Sequence, residues 1–188
     1  MPVDTALLGL IFSALSTLVV IVGAVIGIRQ LRYLRHANEL ATLTKLVDQY
    51  NSPAMHEARA FVRDELPAAM HDPGFLAELA RWPHGARARH VIEIANFFEG
   101  LAGYILAGAL SERSVLIIWD AVILGNWRLL REAVVVARNA RGIDVLDYFE
   151  DLAMRAEEWD AGPDARAMRA RLRRDPRLAA PLRNPPGD

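Results

Sequence analysis

Apolar residues are distributed in two different ways along this 188-residue chain, and the change comes near residue 29. From Ala6 to Ile28 runs an uncharged, mostly aliphatic stretch, ALLGLIFSALSTLVVIVGAVIGI, and Arg29, Arg32 and Arg35 follow it at once. As a helix this stretch is roughly 35 Å long, enough to cross a hydrocarbon core of about 30 Å. The pattern predicts a transmembrane anchor over residues 1–28. A cleaved signal peptide would carry a basic leading region, a shorter apolar core and a small-residue cleavage site. Here Asp4 is the only charged side chain before the run, so a retained anchor is expected. Basic residues flanking a span stay in the cytoplasm. The Arg29, Arg32 and Arg35 cluster therefore predicts one pass of the inner (plasma) membrane, with the N-terminus outside and residues 29–188 in the cytoplasm.

Beyond the arginines the apolar positions recur at helical spacing. Leu40, Leu43, Val47 and Tyr50 extend the first helix as a juxtamembrane segment over 29–50. Asn51-Ser52-Pro53 stops it and starts the next, because Ser52 can cap and proline suits the first helical position. Residues 51–159 read as one cytoplasmic α-helical domain, with no sustained alternation of the kind a half-buried strand needs. Helices are expected to Leu66 (ended by Pro67), over 75–82 after a turn at His71-Asp72-Pro73-Gly74, and over 86–109, 112–124, 127–140 and 143–159, with Gly125-Asn126 as a break or kink. The helix over 86–109 shows an apolar stripe, Val91, Ile94, Phe98, Leu101 and Ile105. Opposite it a line of small residues, Asn96, Gly100, Gly103 and Ala107, predicts packing on a second side. The five prolines from Pro163 onward predict a disordered Pro/Arg-rich tail over 160–188, within which 164–174 can be transiently helical.

Val115–Ala137 is a second apolar run, but it holds Asp120, Arg128, Arg131 and Glu132. A central charge costs about 2.5–3.5 kcal/mol on insertion, against about 0.3–0.6 returned by each aliphatic residue. This run is therefore expected in the core of a soluble bundle. The fold class is all-α: one N-terminal transmembrane helix followed by a cytoplasmic helical bundle.

Charge then restricts the partners. Residues 51–159 carry 11 Arg against 16 Asp and Glu, a balance of −5, and nucleic-acid binders present basic faces instead. No nucleic-acid partner is expected. Arginine dominates over lysine and alanine is abundant, as in GC-rich bacterial genomes. The absence of cysteine suits a reducing compartment. The basic tail, with Arg169, Arg171, Arg173, Arg174 and Arg177, is read as solvated, the alternative being contact with anionic lipid.

Candidate chemistry is sparse. His90 and Glu93 lie three apart, but a Glu-x-x-His metal pair has the reverse order and needs a second copy. His90 reads as a packed or surface residue. Asp120, with Arg113 and Arg131 on its side of the helix, reads as part of a solvated stripe rather than a buried functional acid. Glu99, beside Asn96, is a candidate for a buried polar contact to a neighbouring helix. Phosphate-loop, dinucleotide and nucleophile-elbow motifs do not occur. No catalytic residue, metal or cofactor is expected. In the span, Gly9, Ser13, Ser16, Val20, Gly23 and Gly27 fall on one face, and Gly23–Gly27 forms G-x-x-x-G. Such faces favour helix packing in lipid, although glycine and serine are also ordinary there.

Three stretches carry a resemblance: Ser52-Pro53-Ala54-Met55-His56-Glu57-Ala58-Arg59 with Leu66-Pro67, then Asn96-Phe97-Phe98-Glu99-Gly100-Leu101, then the Ser111–Trp127 region. With the anchor they resemble a bacterial domain-of-unknown-function family of short proteins with an N-terminal membrane helix and a cytoplasmic helical domain. The resemblance implies that architecture and no activity. The expected role is a membrane-anchored, non-enzymatic interaction or scaffold module. It would contact membrane lipids through the N-terminal helix, an unknown protein partner and a second copy of itself. The alternative is a membrane-tethered enzyme or small-ligand sensor with a site in the bundle.

Overall fold

A computed structural model describes the backbone of residues 5–141 and 146–174, with side chains over 17–140 and 146–171. Among the described residues every regular element is an α-helix. These are α1 (Thr5–Tyr50), α2 (Pro53–Asp64), α3 (Leu66–Ala69), α4 (Pro73–Ala80), α5 (Ala86–Leu106), α6 (Glu112–Arg141), α7 (Asp147–Ala161) and α8 (Pro163–Arg174). The chain divides into two compact units, Met1–Lys45 and Leu46–Asp188.

The first unit is the body of α1. No helix-breaking residue interrupts it, so the apolar run and the charged segment form one continuous rod. The second unit starts at Leu46 rather than at residue 51, because the last turn of α1 is part of its core. The Tyr50 ring lies 5.3 Å from Phe97 and 4.9 Å from Trp119.

Capping chemistry sets most boundaries in the second unit. The Ser52 hydroxyl accepts the Met55 N–H at 3.3 Å, with Pro53 opening α2. Asp72 accepts the Gly74 N–H at 2.9 Å, and Pro73 opens α4. The expected turn at Asp72-Pro73 is thus a helix start, which moves α4 two residues toward the N-terminus. Pro67 likewise sits in the first turn of α3, where its missing N–H costs nothing, instead of ending the helix before it. Ser111 caps α6 by accepting the Ser114 N–H at 3.3 Å. At the end of α5, Gly108 adopts φ +68° and the Ala109 N–H returns to the Tyr104 carbonyl at 3.0 Å. That left-handed position favours glycine, which has no Cβ to clash.

α5 is the central helix and packs against α2, α4, α6 and α7. Val91, Ile94, Phe98 and Leu101 of its expected stripe are buried, and Ile105 is half-buried. The small-residue side is different. Asn96, Gly100 and Ala107 are exposed, and a Cβ at Gly100 or Gly103 would meet nothing within 4 Å. Among the described residues nothing covers this face, and α5 buries Ala88, Ala95, Phe97 and Ala102 on its broad inner side instead.

α6 is unbroken through Gly125-Asn126. A helical glycine costs only about 1 kcal/mol relative to alanine. Asn126 is held by its own side chain, which donates to the Val122 carbonyl at 2.8 Å and to the Tyr50 hydroxyl at 3.2 Å. The former apolar run lies in α6, where Val115, Leu116, Trp119, Ile123, Leu130 and Val134 are buried.

The expected tail folds in part. α8 occupies Pro163–Arg174 and packs on α7, with Ala165 fully buried and Arg169 paired to Asp160. Pro163 opens this helix rather than forbidding it. Residues 175–188, Arg177 among them, lie outside the described residues.

Arg87 of α5 ties down α4. Its guanidinium meets Asp72 and Glu78, each at 2.8 Å. Hydrogen bonding from Arg87 holds both carboxyls below their ordinary values of 3.8 and 4.5, and backbone N–H groups add to this at each. A carboxyl with a lowered folded pKa stabilises above its unfolded value, and that contribution is lost as pH falls through the folded one. The bundle is therefore expected to lose stability as pH drops below about 5, more steeply in the parent than in Arg87→Gln. Acid titration followed by circular dichroism checks this. The groups are exposed, so the difference is small.

Candidate functional site

Two regions present themselves. One is the surface of α1. An 18-residue stretch of this helix has a mean hydropathy of 1.6, and none of it is buried. It is the one helix among the described residues long and apolar enough to cross a membrane. Leu18, Val19, Val20, Ile21, Val22, Val25, Ile26 and Ile28 are all exposed around its circumference. Gly23 and Gly27 lie one turn apart with open space where a Cβ would stand. Gly9, Ser13 and Ser16, the rest of the small-residue face, have side chains outside the described residues. Arg29, Arg32 and Arg35 are exposed and fall within about 120° of the helix circumference.

The other region is the interior of the second unit, where the family-like stretches converge. Tyr50 stands between Phe97, Phe98 and Trp119, with the Arg59 guanidinium 4.2 Å from its ring centroid. Phe98 stacks on Phe149 at 4.9 Å, and Trp127 meets Phe149 edge-on at 5.1 Å. Aromatic pairs at such distances add to area burial by about 0.5–1.5 kcal/mol each. Sequence periodicity pointed to Phe98. Tyr50 as the hub was not legible, since one aromatic at a helix end looks like any other.

Glu99, a candidate for a buried polar contact to a neighbouring helix, makes an interhelical contact that is half-buried. Its Oε2 accepts the Phe149 N–H at 2.8 Å. Phe149 lies in the first turn of α7, and Leu146 before it has φ +64° and no side-chain cap. A carboxylate from α5 thus does the capping that the Leu146 side chain does not. Arg138 of α6 reinforces the same end with bonds of 2.8 Å to Asp147 and Glu150. Ile143 and Asp144, expected in this helix, lie outside the described residues.

A surface cleft of about 390 Å³ lies between α6, α7 and α8, lined by Arg113, Ile117, Trp159, Asp164, Met168 and Arg171. Arg113 lies 5.9 Å from the Trp159 ring centroid and 3.3 Å from Asp164. Asp120 is close by rather than on a solvated stripe. Its side chain is only 17% exposed and lies 4.0 Å from Arg169 of α8. Arg113 and Arg131 stay exposed. His90 packs on Phe61, their rings 5.2 Å apart. Among the described residues no three His, Asp or Glu side chains gather as metal ligands would.

Comparison with known families decides the relationship. The model of DUF4760, a domain of unknown function, matches residues 17–159. The chain belongs to this family. The DUF4760 match begins within the apolar part of α1 and ends at Trp159, so it takes in all three stretches that suggested such a family and the aromatic interior they build. No curated protein and no solved structure matches the chain.

Proposed function

We propose that this DUF4760 chain is a membrane-anchored, non-enzymatic interaction module, with α1 spanning the inner membrane of a bacterium and the helical bundle in the cytoplasm. The observation that carries this reading is the exposed apolar surface of α1 from Leu18 to Ile28, none of it buried among the described residues. The alternative of a cleaved signal fits less well. The family match includes the second half of the apolar run, and the same helix continues without a break to Tyr50.

Arg29, Arg32 and Arg35 set the orientation, N-terminus outside. In lipid, the open space at Gly23 and Gly27 suits close approach of another helix, and a second copy is the simplest occupant. The unpartnered side of α5 around Asn96, Gly100 and Ala107 is where a protein partner is best sought. A ligand sensor is the weaker reading. It rests on the Trp159 cleft, where Arg113 and Asp164 already satisfy each other.

Reporters fused after Asp188 test the orientation. A reporter active only in the cytoplasm is expected to give signal, and one active only outside is expected to give none. Replacing Arg29, Arg32 and Arg35 together by Asn is expected to weaken this bias. Signal from the outside reporter alone overturns the topology.

A further inference from the structure

We infer that the small-residue face of the span continues past the membrane as a heptad seam, and that two copies of this chain zip together along it in parallel as far as Thr44. The inference rests on the self-association proposed above and extends it to the charged part of α1. Stepping on from Gly23 and Gly27 by three and four residues reaches Gln30, Leu34, Ala37, Ala41 and Thr44. Taking Gly27 as position a places Leu34 and Ala41 at a, and Gln30, Ala37 and Thr44 at d.

The charges and the apolar residues then sort themselves. Arg29 and His36 fall at c, Arg32 and Glu39 at f, and Arg35 at b. All five are on the back of the helix. The exposed large apolar residues of this segment fall at or beside the seam: Leu34 at a, Leu31 at e, Tyr33 and Leu40 at g. Their exposure runs from 55% at Leu34 to 75% at Tyr33. An isolated solvated helix has no reason to segregate in this way.

The occupant follows from the charge pattern. Copies inserted in the same orientation can meet only in parallel, which sets each residue opposite itself. Any charge on the seam would then face its own like. From Gln30 to Thr44 neither a nor d carries one. Thr44 can be enclosed cheaply, because its hydroxyl already donates to the Leu40 carbonyl at 2.9 Å. Gln30 opposite Gln30 can exchange amide hydrogen bonds and fix the register, as a buried polar residue does in a coiled coil.

The chain has no cysteine, so single substitutions report one position each. The full-length protein in lipid vesicles is made with Leu34→Cys, Ala37→Cys or Ala41→Cys on the seam. Arg32→Cys, Arg35→Cys and His36→Cys mark the back, and Gly23→Cys marks the span. Mild oxidation is expected to give at least about five times more disulfide dimer at 34, 37 and 41 than at 32, 35 and 36. Dimer at Gly23→Cys with no preference among the other six overturns the cytoplasmic seam and leaves pairing in the span intact. No dimer at any position overturns both.

Discussion

Phe98→Ala is expected to cost the bundle about 3–5 kcal/mol, because a buried phenylalanine loses both its transfer energy and the packing around the hole it leaves. Phe98 is fully buried and touches three other aromatic rings, Tyr50, Phe97 and Phe149. Those rings come from α1, α5 and α7, so the space cannot close without moving whole helices. In a piece beginning at Leu46, the thermal midpoint is expected to fall by on the order of 10 °C. Tyr104→Ala, at a side chain 46% exposed on the same helix, serves as the control and should change stability by less than about 0.5 kcal/mol. Equal midpoints for the two variants would show that the aromatic interior is not the core of this unit.

The second large effect is expected at Glu99. Glu99→Ala removes the acceptor for the Phe149 N–H and should cost about 1.5–3 kcal/mol, the range for a hydrogen bond to a charged group. No side chain at Leu146 can take over, so the first turn of α7 is left with open amides at the positive end of its dipole. Glu99→Gln keeps an oxygen there and should lose about half as much. The effect is also local. Amide hydrogen exchange at Tyr148 and Phe149 should quicken in Glu99→Ala before exchange in the middle of α5 does. A melt and an exchange pattern indistinguishable from the parent would show that α7 does not depend on this carboxylate.

Much of the fold could be read from local signals. Ser52-Pro53 and Ser111 mark helix starts because capping involves only the three or four residues that follow. Asp72-Pro73 carries the same signal, but Gly74 after it favours a turn equally well, and a turn is what the sequence predicts there. Gly125-Asn126 predicts a break or kink because both residues are poor helix formers. The outcome depended on Tyr50, 76 residues away in sequence, which receives the second Asn126 hydrogen bond. α8 forms over the stretch the sequence offers as transiently helical. The prolines of the tail argue for disorder, and packing on α7 with Ala165 buried makes the helix worth forming.

The candidate sites divide along the same line. The long apolar helix and its flanking arginines are legible because length, apolarity and charge are properties of a contiguous segment. The central stripe of α5 followed from periodicity, and the burial of the second apolar run from charges too costly to place in a bilayer. What the tertiary structure decided were the relations between distant residues: Tyr50 as the aromatic hub, Glu99 as the cap of α7, Asp120 brought near Arg169 of α8, and the small-residue side of α5 exposed among the described residues. Periodicity reports which side of a helix is apolar. It cannot report what stands opposite, because that depends on where every other helix has come to rest.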